Sequence, residues 1–199
     1  MKKILFSDKY GFTQAVLDGR KTQTRRIAYI SQHDADVLTG KIPSCPKQHI
    51  ADCMRKARYK VGEVVAVAQS YESLFHGKKS PNDFLLDDSN MNPKYCGAGF
   101  RNKMFVRADL MPYRIRITDV RVERLNDISE SDCRAEGIVA WTKDKELYKY
   151  DLKDVEMFPW SEKPRTPREA YAALIDRISG KGTWEKNPYV FIYNFELID

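Results

Sequence analysis

The chain has 199 residues, enough for one domain with its own apolar core and no need of disulfide staples. It contains no run of about 18 or more apolar residues, which excludes a helical membrane span, and its 12% aromatic content excludes general disorder. The formal charge is +6, but residues 1–62 carry 13 Lys/Arg against 5 Asp/Glu while residues 63–199 carry 21 against 23, so the basic excess lies in the first third.

A local basic field attracts polyanions, nucleic acid first, although it also serves solubility. The N-terminal apolar run is only Ile4, Leu5 and Phe6, too short for a signal peptide, so the expected compartment is the cytoplasm.

Residues 8–18 read as a short helix, capped by Ser7 or Asp8, with Phe12, Ala15 and Val16 on its apolar face and Gly19 as its stop. The Thr-rich stretch KTQTRRI after it reads as extended. Residues 29–60 are polar and irregular. In YKVGEVVAVAQSY, Gly62 makes a turn and 63–68 a strand; residues 70–102, with SPNDF, DDSN and NPK, read as a surface insertion.

The β-rich stretch MFVRADLMPYRIRITDVRVERL changes phase near Thr118–Asp119, which predicts a bulge or bend there. ISESDCRAEGI predicts a short helix opened by Asp127 or Ser129 and stopped by Gly137. Residues 141–165 show no steady period. TPREAYAALIDRISG is the clearest helix: Thr166 caps, Pro167 takes the first turn, Glu169 completes a capping box, and Tyr171, Leu174 and Ile178 face inward. The closing YVFIYNFELI is apolar on both faces, as a central or barrel strand requires.

Strands dominate without regular βαβ alternation. The fold class is therefore α+β: a small β-barrel with peripheral helices, forming one domain over 1–199.

Four cysteines occur, at 45, 53, 96 and 133, with no C-x-x-C pair, so reduced thiols are expected. Cys45, His49 and Cys53 recur every four residues, which on a helix is one face, as in some metal sites. No fourth ligand is evident and the spacing fits no common zinc motif, so no metal and no cofactor are assigned. His33, His49 and His76 have no partners at a recognisable spacing.

The strongest chemical signal is GRKTQTRR, Gly19 to Arg26: four cations and two hydroxyls in eight residues, directly after a helix stop. Arg clamps phosphate with paired hydrogen bonds, Lys gives a compact charge and Thr a directional hydroxyl. Lys and Arg also protect exposed strand edges, so the run has a bland reading too.

This run after a short helix, then YKVGEVV, LNDISESDCRAEGI and the closing WEKNPYVFIYNFELI, resembles the ASCH family, whose members have a PUA-like β-barrel, and above all its longer, phage-associated branch. The resemblance covers about 110–120 residues at both ends and in the middle of the chain, leaving insertions at 29–57, 70–100 and 141–163.

The resemblance implies RNA or modified-base binding in a cleft beside the barrel. It also implies an alternative activity: small bacterial ASCH proteins are amidohydrolases that remove the acetyl group from N4-acetylcytidine, relying on a Lys and a Thr in G-x-K-T-x-T and a Glu in the helix after the central strands. Carried over by motif, these are Lys21, Thr24 and Glu136.

The residue types suit that chemistry. A Thr hydroxyl becomes nucleophilic when a base takes its proton, a lysine of lowered pKa can be that base, and Glu136 could shuttle the proton to the leaving amine. Arg25 and Arg26 would help lower the lysine. On a flat strand, residues 21 and 24 face opposite ways, so Lys21 has to lie in the turn before the strand. Each residue also has a plainer role: Lys21 as a phosphate contact, Thr24 as a β-former, Glu136 as a helix carboxylate.

Arg20, Lys21, Arg25 and Arg26 are the expected ligand-binding cations, with Gln69 reading a base edge and Tyr71 stacking on a base. Where relatives often show Arg-Glu-Thr-Trp, this chain has Ala68-Gln69-Ser70-Tyr71, a departure that puts the relatives' ligand preference in doubt. The expected partner is RNA or a modified nucleoside. The aromatics of the insertions, Trp141, Phe158 and Trp160 among them, also suit a protein partner.

Overall fold

The computed structural model describes residues 1–42, 46–75 and 98–198. Its elements in chain order are β1 (Lys3–Ile4), α1 (Phe12–Leu17), β2 (Gln23–Ile27), α2 (Gln32–Leu38), α3 (Lys47–Met54), β3 (Val64–Val67), α4 (Tyr71–Phe75), β4 (Arg114–Arg124), α5 (Glu130–Ala135), β5 (Ile138–Thr142), β6 (Tyr148–Leu152), α6 (Pro167–Ser179), α7 (Thr183–Lys186) and β7 (Tyr189–Ile198).

The class is α+β. A five-stranded sheet runs in the order β1-β3-β4-β7-β2, and β5-β6 is a separate hairpin. Only β1 and β3 are parallel. β7, apolar on both faces, is central between β4 and β2, as its composition requires.

The expected barrel is an open sheet here. β1 and β2 are its edges, and no strand pairing joins them among the described residues. β1 is only two residues long, too short to reach across. Arg26 bridges the gap instead, donating from Nη2 to the Leu5 carbonyl at 2.6 Å.

The bulge lies where the phase change in the sequence put it: the β4–β7 register shifts between Ile117 and Asp119. It lets Ile115 and Ile117 before it, and Val120 and Val122 after it, all reach one core.

Local signals set most helix ends. Thr166 accepts from the Glu169 amide at 3.2 Å, and Pro167 takes the first position of α6. The Glu169 carboxylate reaches the Arg165 amide rather than the cap residue, so the capping box is not the expected one. Ser129 accepts from the Asp132 amide at 3.1 Å and opens α5, and Gly137 follows its end at φ 107°. The single helix expected over 8–18 is divided at Gly11, whose φ of 66° ends a 3-10 turn before α1 begins. A Cβ at Gly11 would lie 3.1 Å from the Asp154 Cβ.

Two of the expected insertions carry secondary structure. Within 29–57, the Ser31–Asp34 capping box nucleates α2, and α3 packs on it. Within 141–163, β5 and β6 form a hairpin around Asp151, which is fully buried. Asp151 accepts from the backbone amides of Leu152, Met157 and Phe158 and pairs with buried Lys163. The aromatics there pack on cations: the Lys163 ammonium lies 5.5 Å from the Trp141 ring centre, and Lys143 and Lys149 lie over Trp160. Of the third expected insertion, residues 76–97 lie outside the described residues.

Candidate active site

The turn from α1 into β2 aims Lys21 inward. Gly19 takes a φ of 70°, and the amides of Arg20 and Lys21 both bond the Ala15 carbonyl at 2.9 Å. Lys21 therefore lies before the strand, as the motif demands. The Thr22 amide bonds the Ala135 carbonyl, tying this turn to the end of α5.

At that end sits Glu136. Its carbonyl is one of those a helix C-terminus leaves without an intrahelical donor. Lys21 Nζ donates to this carbonyl at 2.7 Å and to the Glu136 carboxylate at 2.5 Å. The negative end of the helix favours a cation at this point. Both side chains are about 95% or more removed from water, and the ammonium also lies 4.7 Å from the centre of the Phe12 ring.

Burial pulls the Lys21 pKa below its ordinary value against the opposing pull of Glu136. Arg26 and Arg25 lower it too, but less than burial does, so the arginines are not the main cause.

Thr24 is buried in β2 and pairs across to Tyr193 in β7. Its hydroxyl has no hydrogen-bond partner among the described residues, and no hydrogen bond joins it to Lys21. Lys21, Thr24 and Glu136 all line one cavity of about 320 Å³, with Phe12 and Tyr171 supplying aromatic walls. That volume is at the small end for ligand sites, about 300–1,000 Å³.

The other expected binding residues divide. Arg26 is exposed and lines this cavity. Arg25 lines it too, but its guanidinium is engaged with carboxylates: Glu123 at 2.7 Å, Asp132 at 3.0 Å and Glu136 at 3.4 Å, besides a bond to Gln23. Those neighbours raise its pKa and leave it a fixed internal cation rather than an open phosphate clamp. Arg20 pairs at the surface with Asp18 and Asp154, outside the cavity lining.

Gln69 and Tyr71 lie elsewhere. Tyr71 packs on a second apolar cluster around Ala66, Leu74 and Met111, and its hydroxyl accepts from the Arg107 amide at 2.9 Å. The Gln69 backbone N–H donates to Met111 Sδ. Of the cysteine–histidine run, Cys45 lies outside the described residues, and His49 and Cys53 lie on α3, away from this cavity.

Sequence reasoning missed the residues that hold the site rather than form it. Asp132 and Glu123 anchor Arg25, and Gln23 links Asp132 to Asn194. Tyr171 reads from the sequence as core and does lie buried, but it also walls the cavity, with Trp184 edge-on at 6.4 Å. Ile178, expected inside, is 43% exposed and lines the same cavity. The signal for Asp132 was the acidic run in ISESDCRAEG, a pattern that ordinary helix surfaces share, and Glu123, on β4, gave none.

Cys133 neighbours this network but is no nucleophile, because burial pushes its thiol up to about 12. Native protein treated with iodoacetamide at about pH 8 should leave Cys133 unmodified, as read by peptide mass spectrometry, and stoichiometric alkylation there would contradict the assignment.

No family model matches the sequence. No curated protein matches it either. Among solved structures, protein EF3133 of Enterococcus faecalis V583, described under the family model DUF984, aligns with 100% of this chain and 77% of its own at 15% identity and a TM-score of 0.42. A likeness that loose carries no argument about activity.

Proposed function

We propose that this cavity takes the base of a modified nucleoside and hydrolyses an acyl amide on it, of the N4-acetylcytidine type, in a PUA-like domain of the ASCH family. The observation that carries the reading is the buried Lys21–Glu136 pair, 2.5 Å apart, at a cavity that Thr24 also lines. A buried lysine of lowered pKa beside a carboxylate is a proton-transfer pair, and a hydroxyl without a partner is a nucleophile in waiting.

As substrate enters, Lys21 in its deprotonated form swings from the Glu136 carboxylate to the Thr24 hydroxyl. Catalytic hydrogen bonds often tighten only in the complex. Thr24 Oγ1 bonds to the acetyl carbon as its proton passes to Lys21. The carbon–N4 bond then breaks, and N4 receives that proton by way of Lys21 and Glu136. Water attacks the acetyl-threonine ester, acetate leaves and Thr24 regains its proton. The sum is N4-acetylcytidine plus water giving cytidine, acetate and one proton released to solvent.

A second reading, RNA binding, has its own support. A neighbouring cavity shares Leu5, Arg26, Ile27 and Tyr29 with the first and adds Lys56, Arg58 and Tyr59. Cations interleaved with aromatics suit a single strand.

A chromatographic assay for cytidine release from N4-acetylcytidine, run beside Thr24→Ala, tests the first reading. Turnover lost in the variant supports it, and full activity in Thr24→Ala excludes Thr24 as nucleophile. If the folded protein shows no turnover but binds single-stranded RNA with an affinity that falls steeply with salt, the second reading replaces the first.

A further inference from the structure

A second cluster lies apart from the cavity lining, on the pair α2 and α3. Asp34 of α2 and His49 and Cys53 of α3 each bring one ligand atom within 4.8 Å of the other two. His49 and Cys53 are four residues apart, so one helix face presents both. Asp34 and Cys53 are buried. His49 is partly exposed, yet its Nε2 is shut off from water and has no hydrogen-bond partner among the described residues.

A buried imidazole nitrogen without a partner is uncommon and asks for one. The Asp34 carboxylate is already divided in a telling way. Oδ2 is held from outside by Lys56 and by the Ser31 hydroxyl, each at 2.5 Å, while Oδ1 accepts from Cys53 Sγ at 3.2 Å.

We propose that Asp34, His49 and Cys53 bind a zinc ion. Thiolate sulfur, imidazole nitrogen and a carboxylate oxygen form a borderline-soft set that suits Zn²⁺ and not Mg²⁺ or Ca²⁺. On binding, the Cys53 thiol gives its proton to water and its sulfur bonds the metal. Asp34 Oδ1 exchanges the S–H donor for the ion, and neutral His49 supplies a nitrogen lone pair. One thiolate and one carboxylate balance the dication, with Lys56 still on the far oxygen of Asp34. Three protein ligands leave a fourth position for water.

The site is a clip. α2 and α3 are seven and eight residues long, too short to persist as isolated helices, and the metal would join them across the eight residues, 39–46, that separate them in sequence. The clip would also steady Lys56, which lines the neighbouring cavity.

The test uses the full chain, made without a polyhistidine tag and stripped of metal. It is titrated with Co²⁺, and with Zn²⁺ against a chromophoric chelator. The expected result is one ion per chain, with a thiolate-to-cobalt charge-transfer band in the near ultraviolet that Cys53→Ser removes. His49→Ala, a change at a partly exposed position whose fold circular dichroism checks, should weaken Zn²⁺ binding by more than about 100-fold, since losing even an outer-shell partner costs about 10–100-fold. Absence of stoichiometric binding, unchanged affinity in His49→Ala, or a charge-transfer band that survives Cys53→Ser would each overturn the site.

Discussion

Lys21→Ala is expected to lower the turnover of N4-acetylcytidine by roughly 10²–10⁴-fold, the usual loss when a positioned proton-transfer group is removed. Two effects converge on this side chain. It is the one amine paired with Glu136 at the cavity, and burial holds its pKa below the ordinary lysine value.

The sign of the pH dependence follows. The base is the neutral amine, so wild-type kcat/KM should rise with pH through the lowered Lys21 pKa and level off above it. The same shift bears on stability. Below its ordinary value, the unfolded chain holds the Lys21 proton more tightly than the folded one does, so this group adds stability as pH rises towards that value. A pH profile of residual Lys21→Ala activity without that rising limb would complete the assignment. A variant that keeps the limb would place the titration on another group.

Asp151→Ala is expected to be the most damaging change to the fold, costing about 3–5 kcal/mol, because removing one partner of a buried ion pair strands the other. Asp151 is fully buried and Lys163 nearly so, and Asp151 also accepts the amides of Leu152, Met157 and Phe158. The largely exposed Glu156, 3.2 Å from Lys163, offsets part of the loss and favours the lower end of the range. For a chain of this size the melting temperature should fall by on the order of 10 °C in a thermal scan. Asp151→Ala with Lys163→Met should recover only part of it, since the three amides still lack their acceptor. A drop of less than about 2 °C in the single variant would show that the pair is solvated in solution.

Much of the local structure could be read from the residues. The α6 cap at Thr166, the α5 start at Ser129, the bulge before Asp119 and the central place of β7 each follow from side-chain chemistry or periodicity within a few neighbours. The turn that carries Lys21 is of the same kind, since Gly19 alone frees the chain for it.

What the sequence by itself determined was therefore the α+β class and the position of Lys21 before β2. Only the tertiary structure decided which charges are open. Arg25 and Arg26 are adjacent in GRKTQTRR, yet Arg25 is spent on carboxylates that come from β4 and α5, about 100 residues later, while Arg26 stays exposed. The same long-range logic separated Gln69 and Tyr71 from the cavity and brought Asp34 to His49 and Cys53. Pairing between distant charges depends on which faces the sheet and helices bring together, and no local pattern encodes that.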